Sequence, residues 1–285
     1  MRIDLHTHSS RSDGTDNPQE LVRRARAAAI DVVALTDHDT TAGWDEAQAA
    51  AGDGGITLVL GLEISCRFAA TGVHLLAYEP DPSYPALDAE LERVLAGRNA
   101  RLPTTLHRLR GLNIDISVAD VRAVSADAAA TGRPHVADAL VRLGAVRDRD
   151  EAFDRYLSPG RPAYVDRYGA DLVTMIGLVR DAGGVSVVAH PWGRSSRRVL
   201  TEAAFEQLRD AGLAGIEVDH NDHSARDRAE LAAIADELAL LRTGASDYHG
   251  VGKLGHPLGC NRTAPQQYEA LRQRVREATR AAGSL

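Results

Sequence analysis

Short apolar runs alternate along this chain with longer stretches in which apolar positions recur every three or four residues. Residues 2–7 form a brief strand-like run, and residues 31–36 (DVVALT) and 57–64 are apolar almost throughout, the pattern of strands covered on both faces. Residues 72–78 (GVHLLAY) pair with the third run as a hairpin around Ala70, Thr71 and Gly72. Further strands are predicted at 185–189, 215–218 and 239–244. Helical periodicity fills the intervals. The first helix runs from Pro18, favoured at the first helical position, to about residue 29, with Asn17 as its cap. Others are expected at about 42–51, 170–182, 202–211, 225–238 and 265–282. Strand followed by helix, repeated in this way, is the alternation of an α/β fold.

The middle of the chain breaks that rhythm. From Pro80 to Arg167 there are helical patterns near 87–110, 118–125, 135–143 and 151–156, with turn signals between them and no convincing buried strand. The organisation expected is a barrel-sized α/β unit made of residues 1–79 and 168–285, interrupted by a mostly helical subdomain at 80–167.

Composition narrows the reading without redirecting it. Across 285 residues, 44% hydrophobic and 26% charged are ordinary globular values, and 4% aromatics imply a core of Val, Leu, Ile and Ala. A formal charge of −7 gives no generic basic face for nucleic acid. Cys66 and Cys260 are too few for a disulfide framework. No apolar stretch approaches the ~18 residues of a membrane span, and Met1 is followed at once by a strand-like run, leaving no room for a signal peptide. The chain reads as soluble and cytoplasmic, with no membrane partner; its oligomeric state is left open.

The chemistry lies at the ends of the apolar runs. His6 and His8, two apart, project to one face of the first strand, and Asp13 follows in the loop. Residues 36–39 (TDHD) end the second strand with His38, Glu63 ends the third, and His74 lies on its hairpin partner. His190 ends the strand at 185–189, and Asp247 and His249 follow the last strand. Singly, each has an ordinary explanation: a chance pair of histidines, a polar strand end, a surface glutamate. Jointly they do not, because an α/β barrel gathers these strand ends around one mouth, and so many ionisable groups buried together without cations would be very costly. Imidazole nitrogen mixed with carboxylate oxygen suits borderline divalent ions such as Mn²⁺, Fe²⁺ and Zn²⁺. Six histidines and three carboxylates serve three ions with three or four ligands each, provided a carboxylate bridges. Such a centre is net positive and suits a phosphorylated substrate, with hydroxide held between two ions as the nucleophile.

At these residues the chain resembles the PHP (polymerase and histidinol phosphatase) family of metal-dependent phosphoesterases. The matching motifs are DLHTH at 4–8, SDGT at 12–15, LTDHDT at 35–40, GLEI at 61–64, AHP at 189–191 and SDYH at 246–249, in family order over nearly the whole length. Within the family it looks most like the nucleotide phosphatases with a helical insertion, together with the related 5′→3′ exoribonucleases. The resemblance implies a distorted (β/α)₇ barrel with a trinuclear Mn, Fe or Zn centre. Carried over position by position, His6, His8, Glu63 and Asp247 hold one ion. Glu63, His74 and His190 hold the second, and Asp13, His38 and His249 the third. Asp37 and Asp39 are not assigned as ligands and are expected to orient metal-bound imidazoles.

Substrate contacts are less determined. Thr131-Gly132-Arg133-Pro134-His135 opens a helix in the insertion, aiming backbone N–H groups, Arg133 and His135 at one point, which suits a phosphate. The similar element of the subgroup contacts substrate; the ordinary alternative is a proline-started helix with a solvated arginine. His223, after the strand at 215–218, is the candidate catalytic acid for the leaving group, and His220 reads as structural. An aromatic residue usual in the family near Asp219 is missing. Arg194 and Arg197 read as a flexible basic loop before a phosphate clamp, and Lys253 as a candidate leaving-group contact. His107 and His256 read as surface residues and Cys66 as core, while Trp44 and Trp192, near strand ends, fit lining of the mouth and packing equally well.

The expected activity is hydrolysis of phosphomonoesters of small nucleotides, a 3′,5′-nucleoside bisphosphate or AMP. A 5′→3′ exoribonuclease on short single-stranded RNA is the alternative. Histidinol-phosphate hydrolysis is disfavoured by the insertion, and a non-catalytic metal-stabilised scaffold by the fact that all nine positions are filled.

Overall fold

Seven short strands close into a ring whose mouth carries the polar strand ends. The computed structural model describes residues 1–52, 54–125, 128–193 and 196–283. β1 (Ile3–Asp4) lies parallel to β2 (Val32–Leu35), with α1 (Pro18–Ala27) between them in sequence, and β2 lies parallel to β3 (Thr57–Phe68) after α2 (Trp44–Gly52). β3 turns back through Ala69 and Ala70, both at positive φ, into the antiparallel β4 (Thr71–Tyr78). This hairpin stands where a strand–helix–strand unit would otherwise sit, and it distorts the barrel. β3 outlasts the predicted run at 57–64 because Cys66, Arg67 and Phe68 are paired with Val73, Gly72 and Thr71.

The insertion follows β4. α3 (Pro85–Ala100) and α4 (Leu102–Arg110) replace the single helix expected at 87–110, and the break falls at Arg101, two residues before Pro103, which cannot donate to a continuing helix. Next come α5 (Val118–Arg122), α6 (Arg133–Arg142) and α7 (Arg149–Ala152), the last running into a π-turn at Phe153–Leu157. Leu106, Leu109, Val121, Val136, Leu140 and Leu157 belong to an apolar cluster of the insertion itself. α3 is different: Leu87, Leu91 and Val94 join the apolar cluster of the barrel.

The two-residue β5 (Ala170–Asp171) then attaches to β3 near Cys66, so the helix expected from 170 starts at α8 (Leu172–Asp181). β6 (Val185–Ala189) pairs antiparallel with β4; β7 (Gly215–Asp219) and β8 (Leu241–Gly244) continue parallel, separated by α9 (Glu202–Asp210) and α10 (Ala225–Glu237). A parallel bridge between Thr7 and Tyr248 closes the ring, the His8 N–H donating to the Tyr248 carbonyl at 2.8 Å. Alternation along β2 shows the layers. Val33 and Leu35 pack outward with Leu21 and Val22 of α1, while Val32 and Ala34 join Ile3, Leu76 and Val187 inside the ring. That inner cluster continues onto Tyr268, Leu271 and Val275 of α11 (Pro265–Ala282). No helix among the described residues is long and apolar enough to cross a membrane.

Candidate metal centre

Every strand but β5 and β7 delivers one or more of the nine expected ligand side chains on or beyond it, which sets all nine around one mouth. His6 and His8 follow β1, His38 follows β2, Glu63 and His74 lie on the hairpin, His190 follows β6, and Asp247 and His249 follow β8. Two of them sit in left-handed backbone, His190 at φ 25° and Asp247 at φ 53°, as does Asp39 beside His38 at φ 60°. Such conformations cost energy for non-glycine residues and gather at functional sites. Asp13 arrives on a tight loop in which a Cβ on Gly14 would lie 2.2 Å from the His8 carbonyl oxygen, so only glycine fits there.

The ligand atoms converge. Glu63 Oε1 lies 2.8 Å from His74 Nδ1 and 2.9 Å from His190 Nε2. Glu63 Oε2 lies 3.4 Å from His6 Nε2, 3.2 Å from His8 Nε2 and 3.1 Å from His38 Nδ1. Asp247 Oδ1 is 3.5 Å from His6 Nε2 and 3.3 Å from His8 Nε2. Asp13 reaches His249 Nε2 at 3.3 Å and His38 Nε2 at 3.7 Å. All but His74, at 15% side-chain exposure, are buried. Burial opposes the ionisation of Glu63, but the histidines around it, His74 first, hold its carboxyl well below the usual range; the same competition holds Asp13 and Asp247 low, through His38 and Lys253 respectively.

The outer hydrogen bonds decide what these atoms can be. Glu217, fully buried on β7, accepts from Nδ1 of His6 at 3.0 Å. His249 Nδ1 lies 2.9 Å from the Asp247 carbonyl, which can only accept. Both rings therefore carry hydrogen on Nδ1 and turn the lone pair of Nε2 inward. His6 Nε2 and His8 Nε2 then face each other at 3.0 Å, amid the oxygens of Glu63 and Asp247. Imidazole nitrogens and carboxylate oxygens converging at this spacing form a donor set that fits divalent metal ions. Four overlapping groups of these atoms have ion-binding spacing: His8, Asp13, His38 and His249; His6, Glu63 and His190; His6, His8 and Asp247; and His38, Glu63 and His74.

Several expectations need correction. Neither Asp37 nor Asp39 hydrogen-bonds an imidazole directly among the described residues. Asp37 accepts from the Ser9 N–H, Ser9 Oγ and Ser12 Oγ, tying down the loop that carries Asp13. Asp39 accepts from the Ser65 N–H at 2.6 Å and from Nη2 of Arg98 at 2.6 Å. The carboxylate that does hold an imidazole is Glu217; its place inside an apolar run, GIEV, gave it the look of a strand residue. His220 reaches the cluster, with Nε2 3.2 Å from Asp247 Oδ2. His256 is buried, its Nδ1 2.7 Å from the Ser246 carbonyl. His223 has both ring nitrogens engaged by backbone: Nδ1 at 2.8 Å from the Val218 carbonyl and Nε2 accepting from the Trp192 N–H at 3.2 Å. In this arrangement it has no proton to offer a leaving group.

Of the other candidates, Arg133 donates to the Leu157 carbonyl at 3.1 Å and lies against the Phe153 and Tyr164 rings. His135 is buried, its Nδ1 accepting from the Gly132 N–H at 2.9 Å. Lys253, the one lysine in the chain, touches Asp247. Arg197 pairs with Asp227 and Glu230 over the Trp192 ring, while Arg194 lies outside the described residues. Trp192 donates to the Leu200 carbonyl and Trp44 to the Gly61 carbonyl; Cys66 is in the core and His107 is exposed.

The insertion meets the mouth at three points. Arg98 of α3 binds Asp39, the Ala129 N–H donates to the Arg11 carbonyl at 2.9 Å, and Arg149 donates to the Asp13 carbonyl at 3.2 Å.

A closed barrel with imidazoles and carboxylates converging on its C-terminal mouth defines a metal-dependent hydrolase. The sequence model of the PHP domain matches residues 4–106. The chain is 37% identical over 270 residues to the 3′,5′-nucleoside bisphosphate phosphatase of Chromobacterium violaceum, covering 92% of each. It is 36% identical over 248 residues to a 5′-3′ exoribonuclease of Haemophilus influenzae, covering 87% of this chain and 90% of that one. A crystal structure from Bifidobacterium adolescentis, of a protein assigned as a metal-dependent phosphoesterase, superposes with a TM-score of 0.91 at 36% identity over 95% of this chain and 96% of the other. The chain belongs to the PHP family.

Proposed function

We propose that this protein hydrolyses phosphomonoesters of small nucleotides, 3′,5′-nucleoside bisphosphates or AMP, at a centre of three divalent ions. The observation that carries the reading is the division of Glu63. One oxygen faces His74 and His190, and the other faces His6, His8 and His38. That division would let Glu63 bridge two ions. In this assignment His6, His8, Glu63 and Asp247 would hold one ion, Glu63, His74 and His190 the second, and Asp13, His38 and His249 the third. Ions such as Mn²⁺, Fe²⁺ or Zn²⁺ held there supply Lewis acidity, acidifying water and drawing charge from a phosphoryl group.

The chain's own residues supply position and charge. Glu217 fixes the His6 ring, and Asp37 fixes the loop that carries Asp13. The insertion acts as a cap, with Arg133 and His135 at the start of α6 serving the substrate phosphate; the contacts of Arg98, Ala129 and Arg149 with the mouth support this placement. Lys253 offers an ammonium group beside Asp247 for the leaving oxygen. His223 instead holds the turn after His190 through Trp192.

The names of the relatives favour nucleotide substrates, and the Haemophilus protein favours a second reading, 5′→3′ exonuclease action on short single-stranded RNA. A cap over the mouth disfavours long RNA. The deciding experiment assays metal-reconstituted protein against AMP, adenosine 3′,5′-bisphosphate, histidinol phosphate and 5′-phosphorylated oligonucleotides, measuring phosphate and mononucleotide separately. Phosphate release from the bisphosphate or AMP should be fastest. Equal kcat/KM on a long RNA overturns the monoesterase reading in favour of the exonuclease.

A further inference from the structure

β7 carries none of the nine mouth residues, yet the residue just after it, His220, is fully buried against one of them. The hydrogen on its ring can be placed. Nδ1 accepts from the Asp222 N–H at 3.0 Å, so that nitrogen is bare and Nε2 carries the hydrogen. Nε2 then donates to Oδ2 of Asp247 at 3.2 Å. The turn that presents the ring is itself held, because the His220 carbonyl accepts from the His223 N–H at 3.1 Å and from Nη2 of Arg228 at 2.7 Å.

The two oxygens of Asp247 are thereby divided. Oδ1 lies 3.5 Å from Nε2 of His6 and 3.3 Å from Nε2 of His8, while Oδ2 meets His220 and Lys253. Lys253 is partly exposed on a loop that includes Gly250, Gly252 and Gly255, whereas His220 is enclosed, so His220 is the more firmly held of the two donors. We propose that His220 is a positioning residue of the metal centre: its Nε2–H holds Oδ2 of Asp247 and leaves Oδ1 as the oxygen offered to an ion beside His6 and His8. The inference rests on the metal reading above and deepens it by giving the end of β7 a second part in the centre, besides that of Glu217. Ligation is the rival role, since His220, Asp247 and His256 have ion-binding spacing. It does not suit this ring: Nε2 bears hydrogen and the lone pair of Nδ1 is given to the Asp222 N–H.

The test compares wild type, His220→Phe, His220→Gln, Asp247→Ala and the double variant His220→Phe with Asp247→Ala. Phenylalanine keeps a ring without nitrogens, and glutamine keeps an N–H donor at about the reach of Nε2. Mn²⁺ affinity is measured by calorimetry on chelator-stripped protein, and ion stoichiometry by mass spectrometry. Affinity for one ion should fall about 10- to 100-fold in His220→Phe, the usual effect of losing a partner behind a ligand, and His220→Gln should recover most of it. Because the effect runs through Asp247, His220→Phe should cost nothing further in the Asp247→Ala background. Wild-type affinity in His220→Phe overturns the role. So does a loss that adds in full to that of Asp247→Ala, which would make His220 a packing residue. So does a fourth ion in wild type that both His220 variants lose, which would make it a ligand. Ring ¹⁵N shifts of Zn²⁺-loaded wild type should put the hydrogen on Nε2; hydrogen on Nδ1 overturns the proposal even where His220→Phe does not fold. The two readings fail separately. A wild type that takes up no ion overturns the metal centre and this role with it, whereas full metal uptake that is indifferent to His220→Phe overturns the role alone.

Discussion

Glu217 holds His6 and His190 at once: its Oε1 lies 3.0 Å from Nδ1 of the His6 ring, and its Oε2 accepts the His190 backbone N–H at 2.8 Å. One buried carboxylate thus ties the first strand of the barrel to the end of β6 and sets which nitrogen of His6 faces the centre. Glu217→Gln replaces an acceptor with an amide that cannot accept from both partners. Metal affinity should drop by about 10- to 100-fold, the usual effect of losing a partner behind a metal-bound imidazole, with the circular dichroism spectrum unchanged. Metal content after dialysis against buffered free ion measures it; full retention sinks the positioning role.

Arg98 and Asp39 give a stability prediction with a pH signature. Both are buried, and Arg98→Met leaves the Asp39 carboxylate without its cation, a loss of about 3–5 kcal/mol. Burial raises the Asp39 pKa, but Arg98 outweighs it and lowers the value to about 2, against an ordinary 3.8. A depressed folded pKa contributes stability that is complete above the ordinary value and lost as pH falls towards the folded one. The gap between wild type and variant should therefore be full above about pH 4 and shrink as pH falls towards 2. Urea denaturation in the presence of a chelator, which removes the effect of metal loss in acid, checks this. A gap that is constant or widens over that interval contradicts it.

The mouth residues other than Asp13, which sits in the loop after the first run, could be read from sequence because each lies on, ends or follows an apolar run, and a barrel turns that linear regularity into convergence. What surrounds them could not. Asp39 flanks His38 in the sequence, yet its left-handed backbone turns it to Ser65 and Arg98, and Arg98 lies 59 residues away in the insertion. Glu217 is one carboxylate inside GIEV, and nothing local says that its face of β7 meets His6. His256 had the look of a loop histidine because its partner is a backbone carbonyl, Ser246, which carries no sequence signal. The π-turn at Phe153–Leu157 likewise has no periodicity of its own. Local pattern reports which face a residue takes, and long-range pairing stays hidden.

Chelation should destabilise the whole protein. The Nε2 atoms of His6 and His8, 3.0 Å apart among the oxygens of Glu63 and Asp247, form a donor set that divalent cations satisfy, so bound metal should add its binding free energy to folding, about 2.7 kcal/mol at a hundredfold excess over Kd. Differential scanning fluorimetry with EDTA, then with Mn²⁺ or Zn²⁺ restored, should show a reversible drop of several degrees. An identical midpoint in all three conditions would falsify the metal fit.

Gly14→Ala is a minimal change with a local consequence. The added methyl would sit 2.2 Å from the His8 carbonyl oxygen and 2.6 Å from its carbon, both backbone atoms that cannot rotate away. The loop carrying Asp13 must shift, at a cost of about 1–3 kcal/mol. The group Asp13, His38 and His249 should lose its ion before the others. Metal stoichiometry by mass spectrometry should fall by about one ion per chain relative to wild type, and a full complement would show that the loop tolerates the methyl.

The bridge between Thr7 and Tyr248 has a further consequence, for biosynthesis. Asp247 and His249, which face His6 and His8, leave the ribosome some 240 residues after them. Until that second segment emerges the ring stays open, and two of its histidines await the carboxylate that completes their group. A product that stops before Asp247 would lack the carboxylate and the imidazole that face His6 and His8.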